Sequence, residues 1–213
     1  RPMANKRPDG DGLVRKRSDG RWEGRLVVGT KKNGLPLYKC FLNKSQKEVL
    51  ARMDEYKENT LKNPFYGVYY GQSALPLPPD TIKYLTNETI EGLKVTVADS
   101  ITGMPLESTV YNMDKAFGKD PYEMFLSGAT PIVVMENPNA KTDKELIIFR
   151  DSFGSSISPL LTEEYAKVTL LDIRYVQTNM LGNMSNVYGY NFENADVLFL
   201  YSTLILNTAK IFK

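Results

Sequence analysis

The sequence predicts two domains of different class. Residues 1–62 read as an α+β module of three antiparallel strands plus one helix, and residues 63–213 as an α/β domain with a parallel sheet. Three observations predict this. Charge divides at about residue 62: the first part holds 16 Lys and Arg against 8 Asp and Glu, a balance of +8, and the remainder holds 11 against 17, a balance of −6. Short alternating runs separated by turn residues fill 11–42. Beyond residue 90, continuous apolar runs alternate with helix-like stretches, the pattern of strands buried on both faces.

In the first module, Gly12–Arg17 is a short strand and Ser18-Asp19-Gly20 a turn. Arg21–Gly29 is the second strand, Lys31-Lys32-Asn33-Gly34 an Asn-Gly hairpin turn, and Leu35–Leu42 the third strand. Ser45-Gln46-Lys47-Glu48 matches a capping box, with Ser45 as N-cap and Glu48 reaching back. Val49, Leu50, Met53 and Tyr56 then follow on one helical face, which suits a helix packed on the sheet. So small a unit buries little surface, so modest stability is expected.

After Asn63-Pro64 the chain becomes aromatic and Gly-punctuated over 65–71, and Pro76, Pro78 and Pro79 mark an ordered loop. Glu145–Phe149, Lys167–Ile173 and Ala195–Tyr201 are the three parallel strands, and Thr130–Met135 adds another. Helical segments are expected near 153–165 and 175–182.

Composition closes several routes. The chain has no histidine, so no scheme that needs an imidazole can be completed within it. One cysteine, Cys40, rules out an internal disulfide and a multi-cysteine zinc site, and reads as a small half-buried strand residue; no metal or cofactor is expected. No apolar run reaches the roughly 18 residues that span a bilayer. The start is basic with no hydrophobic stretch after it, which predicts no secretory leader and a cytoplasmic chain as written.

Strand alternation puts Trp22, Gly24, Leu26 and Val28 on one face of the second strand, and Arg21, Glu23, Arg25 and Val27 on the other. If the helix covers the Trp22 face, Arg15, Arg17, Arg21 and Arg25 share the open one. Such a face is either a solvated basic sheet or a surface whose guanidinium forks pair with phosphates and guanine edges. Trp22 is assigned to the core, and Lys39 and Tyr38 on the third strand are weaker contact candidates.

The run Gly10-Asp11-Gly12-Leu13-Val14-Arg15-Lys16-Arg17-Ser18-Asp19-Gly20-Arg21-Trp22-Glu23-Gly24-Arg25 closely resembles the N-terminal arm-binding domain of tyrosine recombinases, over about residues 3–61. That resemblance implies binding of double-stranded DNA through the sheet, with Arg15, Arg17, Arg21 and Arg25 as the matching positions. Recombinase chemistry needs a downstream domain with Arg, His and a nucleophilic Tyr. None is present, so DNA binding without DNA cutting is expected.

In the second domain, Arg150-Asp151-Ser152-Phe153-Gly154 follows a buried strand and precedes a helix. This puts Ser152 at the carboxyl edge of the sheet, either as a nucleophile whose own N–H helps form an oxyanion hole or as part of a helix N-cap with Ser155 or Ser156. Asn137-Pro138-Asn139, the segment 144–156, Leu170-Leu171-Asp172-Ile173-Arg174-Tyr175 and the segment 197–204 together resemble the C-terminal part of bacterial DHHW-motif proteins, from about Phe65 to the end. Those proteins are similar to SGNH-type hydrolases, related to enzymes that acetylate or deacetylate exported polysaccharides. The resemblance implies Ser152 as acyl-carrying nucleophile, preceded by Asp151.

The family's Asp-His-His-Trp stretch lies upstream of the matched segment, where this chain has the basic module. Ser152 therefore lacks its base, and no or trace esterase activity is expected. Asp172 and Arg174 read as a structural ion pair. The expectation is thus DNA binding by the first module, attached to a truncated, inactive hydrolase-like domain. The alternative is an extracytoplasmic carbohydrate O-acetyl esterase or acetyltransferase-like protein using Ser152, with the first module incidental. An incomplete α/β core would leave an open sheet edge and favour self-association.

Overall fold

The computed structural model describes residues 12–30, 35–67, 76–176 and 178–208. The expected hairpin turn at 31–34 and the aromatic stretch at 68–71 lie outside the described residues. The chain divides into two compact units, Arg1–Lys62 with Thr81–Glu88, and Asn63–Asp80 with Thr89–Lys213.

In the smaller unit β1 (Leu13–Lys16), β2 (Trp22–Thr30) and β3 (Pro36–Asn43) form an antiparallel sheet in that order. The β1–β2 turn closes with Gly20 N–H donating to the Arg17 carbonyl and Arg17 N–H to the Arg21 carbonyl. Helix α1 (Gln46–Asp54) starts at Ser45, whose Oγ accepts from Glu48 N–H at 3.4 Å. The capping box is only half formed, because Ser45 N–H donates to Asn43 Oδ1 at 2.9 Å. Val49 and Met53 are buried on the sheet above Gly24. A Cβ on Gly24 would overlap Met53 Sδ and stand 2.6 Å from Val49 Cγ1, so glycine is what lets helix and strand approach. Phe41 and Tyr56 complete this core, their rings 5.5 Å apart.

A second ribbon, β4 (Lys57–Thr60) against β5 (Lys83–Thr86), was not expected. Its first strand, Lys-Glu-Asn-Thr, is polar, and side chains help hold the ribbon: Asn59 Nδ2 donates to Thr86 Oγ1 and Lys83 Nζ to Glu58 Oε1. Leu85 of β5 is buried, and so are Leu61 and Ile82 beside the ribbon.

The larger unit is built on six strands: β6 (Lys94–Ala98), β7 (Pro105–Ser108), β8 (Ile132–Glu136), β9 (Glu145–Arg150), β10 (Lys167–Leu171) and β11 (Ala195–Leu200). They lie in the order β11-β9-β10-β8-β6-β7. The three expected parallel strands are parallel to one another, β10 and β11 each pairing with β9. The sheet as a whole is mixed, however, because β8, β6 and β7 add an antiparallel half. Ala98, Ile132, Val134, Ile147 and Leu171 fill one face beneath Tyr188 and Tyr190. Val133, Met135, Ile148, Val168 and Leu170 are buried on the other. Burial on both faces is why the central strands read as unbroken apolar runs.

Of the two expected helices, the first is shorter and the second starts later in the chain. A single turn, α2 (Gly154–Ile157), passes into a 3₁₀ turn at Ser158–Leu161, which carries Pro159 near its start. Leu181–Tyr188 and Thr203–Thr208 form further helices. Among the described residues no helix is long and apolar enough to cross a membrane.

Candidate functional site

The carboxyl ends of the three parallel strands bring Arg150-Asp151-Ser152, Asp172 and Tyr201-Ser202 to one edge of the sheet, the location where open α/β sheets hold ligands. Ser152 is exposed. Its carbonyl accepts from Ser155 N–H at 3.1 Å. Among the described residues neither its Oγ nor its own N–H has a hydrogen-bond partner. The N-cap alternative does not describe this turn: the residue ahead of α2 is Phe153, and no side-chain cap is made. Instead Asp151, buried at 2% exposure, takes the amides. Its Oδ1 accepts Phe153 N–H at 3.0 Å and its Oδ2 accepts Ser202 N–H at 2.7 Å. Asp151 thereby ties the end of β9 to the segment after β11, and both carboxylate oxygens are engaged in doing so.

Gly154 lets this turn lie close to its own strand, since a Cβ there would come within 2.8 Å of Arg150 Cβ. Arg150 is 1% exposed, and none of its guanidinium nitrogens finds a hydrogen-bond partner among the described residues. Burial pulls its pKa down, and Asp172, with Oδ2 4.0 Å from Nη1, acts in the opposite direction. Asp172 itself is fully buried and is gripped by Arg174, through Nε at 2.8 Å and Nη2 at 2.5 Å. Those hydrogen bonds raise the Arg174 pKa. Tyr201 is pushed up to about 12, first by burial and then by Asp172. Under the turn Asp172 and Arg174 are thus occupied with each other, and Asp151 with backbone amides.

Sequence reasoning missed Tyr122. Its hydroxyl lies 3.2 Å from the Ser152 carbonyl and 3.0 Å from Ser156 Oγ, so it braces the Ser152 turn from the side. Burial raises its pKa. The available signal was Asp120-Pro121, a helix-start pair: Asp120 Oδ1 caps Tyr122 N–H at 3.1 Å, with Pro at the first turn. Phe65 stacks on the Tyr122 ring at 6.4 Å. A cleft of about 490 Å³ opens beside this pair, walled by Asn63–Gly67 and Gly118–Pro121.

In the smaller unit the helix covers the Gly24 face, and the arginines share the other. All four are paired with carboxylates. Arg15 and Arg25 converge on Glu23 at 2.7 and 2.8 Å, and Arg17 and Arg21 on Asp19 at 3.3 and 2.8 Å. Glu23 is 4% exposed, and the Arg15 and Arg25 hydrogen bonds hold its carboxyl below the usual range. Arg21 does the same to Asp19. Four guanidiniums against two carboxylates leave a patch of +2. Lys39 is not gathered with them. It pairs with Leu26 on the helix side, its Nζ 4.6 Å from the Tyr56 ring. Trp22 is half-buried on that same side. Cys40 is exposed rather than half-buried, because it stands opposite Arg25 on the open face.

No protein-family model matches the chain, and no curated protein does. Solved structures do. Bacillus cereus PatB1 is 21% identical, with a TM-score of 0.55, over 75% of this chain and 52% of that one. PatB1 with a sulfonyl adduct gives 21% and 0.55 over 72% and 48%. A DHHW family protein from Eubacterium siraeum DSM 15702 is 25% identical, with a TM-score of 0.54, over 71% of this chain and 49% of that one. This chain therefore spans about half the length of the structures it matches, and its mixed α/β architecture is of the same kind as theirs.

Proposed function

We propose that the larger unit is an SGNH-type acyl-transfer domain for esters on carbohydrate hydroxyls, with Ser152 carrying the acyl group. The observation that carries this reading is exposed Ser152 at the carboxyl end of a parallel strand, its Oγ and its N–H both without a hydrogen-bond partner among the described residues. That pairing suits attack on an ester carbonyl, with the amide aimed at the oxyanion that forms. The Oγ–H proton must pass to a base as the new acyl–oxygen bond forms and the alcohol leaves. Asp151 does not serve, because both its oxygens are engaged by backbone amides, and no imidazole exists in the chain. The fold likeness to PatB1 and to the DHHW family protein supports the reading.

The test is hydrolysis of p-nitrophenyl acetate with and without added imidazole. Without imidazole, turnover should not exceed that of Ser152→Ala. With imidazole, once the protein-free reaction of imidazole with the ester is subtracted, it should rise, up to the about 10²–10⁴-fold scale of general-base catalysis, and lose that rise in Ser152→Ala. An imidazole-dependent rate unchanged by Ser152→Ala would remove Ser152 from the chemistry. A Ser152-dependent rate without imidazole would show that a base is already present.

A second reading has its own support. Arg15, Arg17, Arg21 and Arg25 stand together on a sheet face that the helix leaves open, as duplex DNA binding through that sheet requires. An electrophoretic shift on recombinase arm-type sites should fall steeply with salt and vanish when all four become Ala. A shift undiminished in that variant would reject the reading.

A further inference from the structure

The two carboxylates of the arginine face hold their partners in different ways. Glu23 lies in mid-strand, its side chain 5% exposed, whereas Asp19 lies on the β1–β2 turn with its side chain 36% exposed. Arg15 donates from Nε to Glu23 Oε2 at 2.7 Å. Arg25 donates from Nε to Oε1 at 2.9 Å, with Nη2 2.8 Å from the same oxygen. Each oxygen of Glu23 thus has its own arginine, and each arginine is gripped on the Nε side of its guanidinium. A guanidinium carries five N–H donors in a planar fork, so this grip leaves the far edge, between Nη1 and Nη2, with two parallel donors to give. Neither guanidinium has a further hydrogen-bond partner among the described residues. Exposed Leu13, Val27 and Leu42 flank them on the same face. At the turn, by contrast, Asp19 Oδ2 takes the Nε–H groups of both Arg17 and Arg21, at 3.3 and 3.1 Å.

We infer that Glu23 is a positioning residue, which sets Arg15 and Arg25 as two forks for guanine edges in the major groove of duplex DNA, while Arg17 and Arg21 leave Asp19 for phosphates. This rests on the DNA-binding reading above. Guanine O6 and N7 are a pair of acceptors matched to the free edge of a guanidinium, and the flanking apolar side chains suit thymine methyl groups. A buried, ionised carboxylate is costly to leave without its partners, so Arg15 and Arg25 stay on Glu23 when a duplex docks. Held there, they cannot swing to follow the phosphate backbone, and a fixed fork selects among bases. The Asp19 pairs are exposed and cheap to open. Arg17 and Arg21 are therefore free to move to phosphates, contacts that fix position without reading sequence.

The test is selection by the full chain from a duplex library with a randomised centre. The wild type should enrich a motif containing two guanines. Replacing either with 7-deazaguanine, which lacks the N7 acceptor, should weaken binding on the order of tenfold. Glu23→Gln should hold the unselected library more tightly than the wild type does, yet lose most of the deazaguanine penalty. The double variant Arg17→Ala, Arg21→Ala should enrich the same motif, bind every duplex more weakly, and show a salt slope smaller by about 2. A wild type that binds duplexes with steep salt dependence but enriches no guanine would leave the DNA-binding reading standing and overturn this inference. So would Glu23→Gln with an undiminished deazaguanine penalty. Retention of no duplex at all would reject the reading and the inference together. Should Glu23→Gln fail to fold, Arg15→Lys and Arg25→Lys keep the charge and lose the fork. Each should lower the preference for guanine at one position severalfold, and an unchanged preference in both would overturn the inference.

Discussion

In the smaller unit every arginine of the candidate face is already held by a carboxylate, whereas in the larger unit the candidate hydroxyl has no hydrogen-bond partner among the described residues. The difference lies in where the acidic residues stand. Glu23 sits directly opposite Arg15 across the β1–β2 ladder and two residues from Arg25 on the same strand face, so it stitches the basic surface from within. Asp151 turns both oxygens toward backbone amides and stitches the strand ends instead. A binding face with built-in counter-charges must exchange them for phosphates. A nucleophile without an acceptor must be given one. The two candidate sites are limited by opposite shortages.

The largest expected effect tests whether Asp151 is a fastener. Asp151→Ala removes two charge-assisted hydrogen bonds from a buried turn, and the larger unit should lose about 3 kcal/mol, read by chemical denaturation. If stability barely changes, Asp151 is available for other work and the contrast with Glu23 weakens. Next is Glu23→Gln, which keeps the shape and removes the charge, at a cost of about 1–2 kcal/mol in the smaller unit. The same change raises the patch from +2 to +3, so the DNA reading expects tighter retardation from a less stable protein.

The pH dependence follows from the same group. Because Arg15 and Arg25 hold the folded Glu23 carboxyl below its ordinary range, its contribution is fully present above the unfolded pKa. It is lost as pH falls through the folded value. Thermal melts between pH 7 and pH 3 should show an acid-side loss that Glu23→Gln flattens.

How much of this was legible in the sequence depended on what each residue's neighbours were. Glu145–Arg150 and Lys167–Leu171 announced themselves because both faces are buried, and the end of that first apolar run placed Ser152 on its turn. Pro105–Ser108 hides its strand behind a proline and a glutamate, and β4 is a polar segment held to the short β5 partly by side chains. The antiparallel half of the sheet was therefore only partly visible. The arginine face was readable from period-two alternation. Its neutralisation was not, because pairing of Arg15 with Glu23 depends on cross-strand register, and a slip of one residue would part them. Tyr122 reaches Ser152 from 30 residues away through a 3₁₀ turn, and no local pattern encodes that contact.

The smallest effect bears on that contact. Tyr122→Phe removes one hydroxyl that touches the Ser152 carbonyl and Ser156 Oγ, leaving the ring on Phe65 and Phe125. The global cost should be about 1 kcal/mol, since the ring packing survives and one net hydrogen bond is lost. Its influence on the turn should exceed that figure, because the hydroxyl joins the strand-to-helix corner to the segment carrying Asp120. Hydrogen exchange at Ser155, whose amide closes on the Ser152 carbonyl, should accelerate more than exchange in β9 or β10. On the acyl-transfer reading, the imidazole-dependent rate should fall severalfold with the apparent affinity for ester little changed, the pattern of a residue that positions the nucleophile rather than touching substrate. Equal acceleration of exchange throughout the sheet would make Tyr122 an ordinary part of the core, and the bracing role would be withdrawn.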